Sequence, residues 1–288
     1  MNLETTNKYD VDIQGEPIEV REARKLILDT FKDLSFIEEG HKYYLNGEEL
    51  VSVTTMIKKF VEETDFNEIA EKKAFKEGCT AQELLDKWKY INLKATTTGT
   101  LVHEFGESYG WMMNGHPELI TESCKMKYVP DKNWLIPTRK KEEAIVAFMN
   151  DLPSSYHLVL NEARVYSGLN KDESKNPKGR YCGTFDMLYY YDGDGDKDKA
   201  GFVIFDYKTN SKIENEYNRT YRKCLLAPFI NMVEEAKSEY TLQLSAYQIP
   251  LEDIGLKVIG RRLIWLKDDG TYEKIPLIDV SETLRNWL

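Results

Sequence analysis

The apolar periodicities along the chain predict an α/β fold, read in the order helix–strand–strand–strand–helix–strand and preceded by a mostly helical N-terminal region. Two observations carry that reading. Three extended segments rich in β-branched and aromatic residues follow one another at Tyr156 to Tyr166, Tyr181 to Tyr191 and Gly201 to Tyr207. A helical pattern at Glu142 to Leu152 precedes them, and another at about 233–249 leads into a strand at Val258 to Leu266.

The 288 residues carry 39 Lys+Arg against 49 Asp+Glu, a formal net charge of −10, which excludes a polycationic coat for nucleic acid. Hydrophobic residues make up 41%, and the 17 Gly bring the apolar share to roughly 47%, the ordinary globular range. A chain this long lies near the upper limit for one core, so one elaborated domain or a core with a cap is expected. The longest apolar runs, Ala144 to Met149 and Phe202 to Phe205, are far shorter than the roughly 18 residues of a membrane span. The start, MNLETTNKYDVD, has neither a basic nor an apolar leader region, and a cytoplasmic setting with no membrane partner is expected. Cys79, Cys124, Cys182 and Cys224 are scattered singly, as suits reduced packing cysteines.

Residues 41–54 read as a hairpin, His41 to Leu45 and Leu50 to Val53, because Asn46-Gly47 supplies the positive φ values of a tight turn. Thr54 or Thr55 is the expected cap of a short helix through Phe60, and Thr80-x-x-Glu83 forms a capping box before Leu84, Leu85 and Trp88. A further helix is expected from Thr96 to about Met113, with Val102, Phe105, Tyr109 and Met112 on one face; Gly106 and Gly110 weaken that pattern. A connection at 115–138 leads to the core helix. The second and third strands are joined by a polar loop, Asp192 to Asp198, and after an irregular stretch at 209–232 come the helix, two strands (the second at Thr271 to Pro276) and a short terminal helix. The chain is thus divided into a hairpin and helical cap region, 1–95, and a core, 96–288, with an insertion at about 209–232.

Phe205-Asp206-Tyr207-Lys208 closes an apolar strand, and strand alternation projects Asp206 and Lys208 to the same side. Gly183-Thr-Phe-Asp186 lies in the preceding strand, about 4.8 Å away, so Asp186 and Asp206 are placed to share one divalent cation, Mg²⁺ or Mn²⁺. Lys208 would then orient or deprotonate the attacking water and neutralise charge on a phosphorane-like transition state. Gly99-Thr-Leu-Val-His103 precedes this pair on a helix, and Gln243-Leu-Ser-Ala-Tyr247 follows on another, with Gln243 and Tyr247 on one face.

The ordered set G-x-x-x-H, G-x-x-D, D-x-K and Q-x-x-x-Y resembles the RecB-type exonuclease branch of the PD-(D/E)XK nuclease superfamily over about residues 99–247. Looser similarity to phage-encoded members and to mitochondrial genome-maintenance exonucleases extends back to HKYYLNGEELVSVTTMIKKF. The resemblance implies a restriction-endonuclease-like core, a central mixed sheet flanked by helices. It implies that His103, Asp186, Asp206 and the backbone carbonyl of Tyr207 are metal ligands, that Asp186, Asp206 and Lys208 carry catalysis, and that Gln243 and Tyr247 position the nucleic-acid strand. Glu162 sits where many relatives have a further acidic residue. Two departures are visible: Phe185 replaces the proline before Asp186, and no cysteine cluster follows Cys224, so no iron–sulfur cluster is implied.

Tyr217, Arg219, Tyr221, Arg222 and Lys223 interleave aromatic and basic side chains, a composition suited to phosphate contact and base stacking; Arg139-Lys-Lys141 is a second such candidate. Gly106-Glu-Ser-Tyr-Gly110 matches the nucleophile-elbow pattern but lies in a helical stretch, and the Asp192 loop lacks the Gly and Glu of a calcium-binding loop. The expected function is a Mg²⁺- or Mn²⁺-dependent deoxyribonuclease, an exonuclease acting on DNA ends or single strands, with phage recombination or replication proteins as partners. The competing class is a catalytically silent nuclease-fold module that binds nucleic acid or a protein.

Overall fold

Runs of β-branched and aromatic residues build the centre of the molecule as three adjacent antiparallel strands, β4 (Tyr156–Tyr166), β5 (Tyr181–Tyr191) and β6 (Gly201–Lys208). The computed structural model describes residues 15–37, 40–115, 131–168 and 181–288, and within them the fold is α/β, a mixed eight-stranded sheet flanked by helices. Helix α7 (Ala236–Asp253) carries the chain to β7 (Val258–Leu266), which runs parallel to β6; β8 (Tyr272–Pro276) adds antiparallel to β7, and α8 (Ser281–Trp287) follows. All of β6 except Lys208 is buried, as expected of a strand covered on both faces. Phe148 of α5 (Leu135–Asn150) packs on Phe205 and Tyr207, while Tyr240 of α7 lies against Lys208 on the opposite face.

The N-terminal hairpin belongs to the same sheet. Strands β2 (Lys42–Leu45) and β3 (Glu48–Ser52) are joined through Asn46 (φ 52) and Gly47 (φ 86), and β1 (Leu34–Ile37) pairs with β2. Strand β3 then runs parallel to β5 at Val51↔Tyr181 and Ser52↔Cys182. One edge of β5 therefore has two partners, β3 at its start and β6 from Met187 onward, and Gly183 to Asp186 lie in the opening between them.

The short helix α2 (Val53–Ile57) is capped by Ser52, whose Oγ accepts the Thr55 N–H at 3.1 Å, rather than by Thr54 or Thr55. The helix expected from Thr96 begins at Ala81: α4 (Ala81–Met113) is one 33-residue helix, started by the Thr80–Glu83 capping box, and the division drawn at 95–96 falls inside it. Helix α1 (Ile18–Phe31), absent from the sequence reading, buries Val20, Ala23, Ile27 and Phe31, and its buried Arg24 donates to the carbonyls of Val159 (2.8 Å) and Leu158 (3.2 Å) on β4. Helix α3 (Phe66–Glu77) packs on α4, and the irregular stretch 209–232 contains a short helix, α6 (Glu216–Tyr221). Most of the 115–138 connection, with Cys124, lies outside the described residues.

Gly106 and Gly110, which weaken the helical pattern in sequence, are what let α4 approach the sheet. A Cβ on Gly106 would stand 2.6 Å from Cε2 of Tyr207, and one on Gly110 would stand 2.9 Å from Nδ2 of Asn161. Gly99, in the same helix, would meet only Thr209 Oγ1 at an ordinary 3.5 Å. Gly106→Ala is accordingly expected to lower stability by about 1–3 kcal/mol through overpacking. Gly99→Ala should be neutral or stabilising by up to about 1 kcal/mol, as for a helix-interior glycine with room for a methyl. Urea denaturation of the two variants checks the pair, and equal effects would contradict the close approach at Gly106.

Candidate metal centre

The approach of α4 brings its imidazole to the opening in the sheet. His103 Nδ1 lies 3.2 Å from Asp186 Oδ2, and ligand atoms of His103, Glu162 and Asp186 all lie within 4.8 Å of one another. The pairings Asn161↔Met187 and Ala163↔Phe185 set Glu162 directly across from Asp186 on β4, and Met187↔Phe205 sets Asp206 across from Asp186 on β6. Three carboxylates thus form one row over three neighbouring strands. Where the β5–β6 ladder opens, the Tyr207 N–H donates to Asp186 Oδ2 at 2.7 Å, so the side chain replaces a strand partner.

Glu162 has φ 48, the left-handed region, inside a strand. Such a backbone costs a β-substituted residue on the order of 1–3 kcal/mol. It coincides with a change of layer along β5: Tyr189 reaches Met149 of α5, whereas Tyr181 donates to the Ala246 carbonyl of α7, although simple alternation would keep the two on one face. Glu162 and its neighbour Asn161 both turn toward α4: Asn161 Nδ2 donates to the Glu107 carbonyl at 3.2 Å while Glu162 joins His103.

The electrostatics follow from crowding. Burial opposes a charged His103, but the negative charge and hydrogen bond of Asp186 outweigh it and push the imidazolium up to about 9. Asp186 is likewise opposed by burial, yet His103, Lys208 and the Tyr207 N–H hold it below the usual carboxylate range. Glu162 is driven well above that range by burial and by the charge of Asp186. Asp206, 2% exposed, rises to about 6 through burial and repulsion from Asp186, partly offset by Lys208. Lys208 Nζ pairs with Asp206 Oδ2 at 2.5 Å, and the attraction of Asp206 and Asp186 overcomes the burial that would neutralise the amine.

A divalent cation fits this donor set. Two carboxylates and an imidazole converge and a third carboxylate stands one strand away; burial first, and the charge of Asp186 second, make the ionised forms of Glu162 and Asp206 costly, a cost that a cation among them would offset. Oxygen donors with one imidazole suit Mg²⁺ or, with the nitrogen ligand, Mn²⁺. The arrangement differs in one respect from the sequence expectation: Glu162, not Asp206, completes the group with His103 and Asp186, while Asp206 is turned to Lys208.

Gln243 Nε2 donates to the Tyr247 hydroxyl at 3.2 Å, and Tyr247 is buried against Gly183 and Phe185, so its ring supports Gln243 and is closed to base stacking. Arg219 is engaged by Glu235 (2.8 and 2.7 Å) and Glu214 (2.9 Å), and Lys223 by Glu234 and Glu62, so their charges are met within the protein. Tyr217 and Tyr221 are exposed and pack on each other at 4.5 Å, with Arg222 exposed beside them. Of the second basic group, Lys141 is buried on the Leu266 carbonyl and Asp268. Ser108 sits mid-helix with Oγ donating to the Glu104 carbonyl, not on a strand-to-helix turn. Two residues near the row were not singled out in sequence: Tyr240, over Lys208, and Glu107, whose carboxyl is raised by burial and by Glu104 and which adds to the charge around Glu162. Their signals were helical spacing, Glu107 four residues after His103 and Tyr240 three before Gln243.

Fold and site together define an α/β protein with a candidate divalent-metal centre at an opening in its sheet. A scan against protein-family models finds no match to this chain, and a search among curated proteins finds none.

A cation that binds through His103 must displace a proton held up to about 9. Mg²⁺ affinity is therefore expected to climb from pH 7 toward pH 9, by about tenfold per unit for one displaced proton. Calorimetric titration across that range should show the slope in the wild type and a shallower one in His103→Gln; a flat wild-type profile would contradict ligation by His103.

Proposed function

We propose that the protein is a metal-dependent nuclease with a restriction-endonuclease-like core of the RecB-type exonuclease branch, hydrolysing DNA phosphodiester bonds at ends or in single strands. The observation that supports this reading is the row Glu162–Asp186–Asp206 with His103 at one end and Lys208 at the other, in which every residue but Glu162 belongs to the motifs that carry the resemblance. His103, Glu162 and Asp186 would hold Mg²⁺ or Mn²⁺, with Asp206 adjoining. When bound, the ion supplies Lewis acidity toward a phosphoryl oxygen and a nucleophile from water at neutral pH.

The chain's own residues supply the rest. Lys208, half-buried and charged, places a positive group at the edge of the row, where it would neutralise charge developing on a phosphate oxygen. The Tyr207 N–H fixes one Asp186 oxygen and so orients the carboxylate. Gln243, held by Tyr247, presents an amide that would position the strand. Among the described residues no helix is long and apolar enough to cross a membrane. The reading places the protein in a cytoplasm, acting with recombination, replication or repair proteins such as those of a phage.

Wild-type protein supplied with Mg²⁺ or Mn²⁺ is expected to degrade 5′- and 3′-labelled single- or double-stranded DNA. Asp206→Ala and Lys208→Ala should each lower kcat by about 100-fold or more, the scale of losing a group that stabilises transition-state charge. Undiminished cleavage by both variants would sink the assignment.

A further inference from the structure

Lys208 has two contacts of different kinds. Its Nζ pairs with Asp206 Oδ2 at 2.5 Å and stands 4.3 Å from the centroid of the Tyr240 ring. The first contact would weaken with a divalent ion held by His103, Glu162 and Asp186, because that ion would be the largest local charge, competing for the adjoining Asp206 carboxylate and repelling the ammonium. The second would not. A ring face attracts an ammonium through its quadrupole, and it has no anionic oxygen to give up to a metal.

The ring is itself fixed. The Tyr240 hydroxyl donates to Asn210 Oδ1 at 2.6 Å, and the Asn210 carbonyl accepts the Trp265 Nε1–H at 2.7 Å. Trp265 is the strand partner of Lys208 across β6 and β7. Lysine, tyrosine, asparagine and tryptophan therefore close a circuit that ties α7 to the end of β6. Asn210 itself lies two residues past Lys208, so the tether leaves the strand and returns to it.

We propose that Tyr240 is a positioning residue that keeps the Lys208 ammonium at the carboxylate row when a divalent cation occupies the His103–Glu162–Asp186 group beside Asp206. Its consequence for turnover rests on the nuclease reading; its consequence for the lysine does not. The ring holds Lys208 beside the site without competing for the metal, and Asn210 holds the ring.

The test is NMR of protein carrying ¹³C-labelled lysine, with the Lys208 signal assigned by Lys208→Met, recorded before and after saturation with diamagnetic Mg²⁺. Ring current from Tyr240 should shift the Lys208 ε-methylene protons upfield in both states. Tyr240→Phe should retain the shift, Asn210→Ala should reduce it, and Tyr240→Leu should return the signal to the ordinary lysine position. In the DNA assay Tyr240→Leu should lose about tenfold in kcat at unchanged KM, with Tyr240→Phe close to wild type. A wild-type signal at the ordinary position, or one that moves there on Mg²⁺ binding, would overturn the proposal without need of any variant. Wild-type protein that keeps the shift but cleaves no DNA would refute the nuclease reading and still support the positioning of Lys208.

Discussion

The approach of α4 to the sheet at Gly106 and Gly110 sets the position of everything at the candidate centre. With hydrogen in place of a side chain at those two positions, Tyr207 and Asn161 fill the space against the helix backbone, and His103, about one turn earlier, comes to rest 3.2 Å from Asp186. A helix held farther from the sheet would lengthen the contact between the imidazole and the carboxylate. The same contact explains why a 33-residue helix carries two glycines that helix propensity alone disfavours.

The sheet meets that helix with an opening of its own. Strand β5 leaves Gly183 to Asp186 between β3 and β6, Tyr247 fills the side next to Gly183, and Asp186 accepts the Tyr207 N–H in place of a ladder partner. Glu162, held in a left-handed backbone directly across from Asp186, adds both strain and charge. Strain on the order of 1–3 kcal/mol and a carboxylate driven well above its usual range are both costs to the fold. A bound cation offsets the charge cost, since it converts mutual repulsion among Glu162, Asp186 and Asp206 into shared attraction. The acidic row and the side-chain cations His103 and Lys208 that bracket it are thus mutually dependent, and the net charge of −10 includes these three carboxylates.

Much of this was legible in the sequence. The strands at 156–166, 181–191 and 258–266 coincide with their aromatic and β-branched runs, because a strand buried on both faces announces itself without any partner. The Asn46-Gly47 turn and the Thr80–Glu83 box were equally plain, since each is a local backbone requirement. What escaped depended on tertiary contact. Helix α1 was passed over because its apolar face is interrupted by charges, one of which, Arg24, is buried on β4 carbonyls. The extent of α4 was missed because residues 81–95 are mostly exposed and carry little of the amphipathic signal that marks the later turns. At the site, Asp186, Asp206 and Lys208 were legible from strand spacing, and His103 from the motif resemblance. The exchange of Asp206 for Glu162 beside His103 turns on a left-handed residue inside a strand, which no periodicity reveals. Arg219 read as a free cation because its partners, Glu214 and Glu235, meet it only through the fold.

If His103, Glu162 and Asp186 hold one divalent cation, as proposed, crystals soaked in Mn²⁺ should give an anomalous manganese peak bonded to all three, with the direct His103–Asp186 contact replaced by bonds to the ion. A peak elsewhere, or no peak with that contact intact in saturating Mn²⁺, would contradict that assignment.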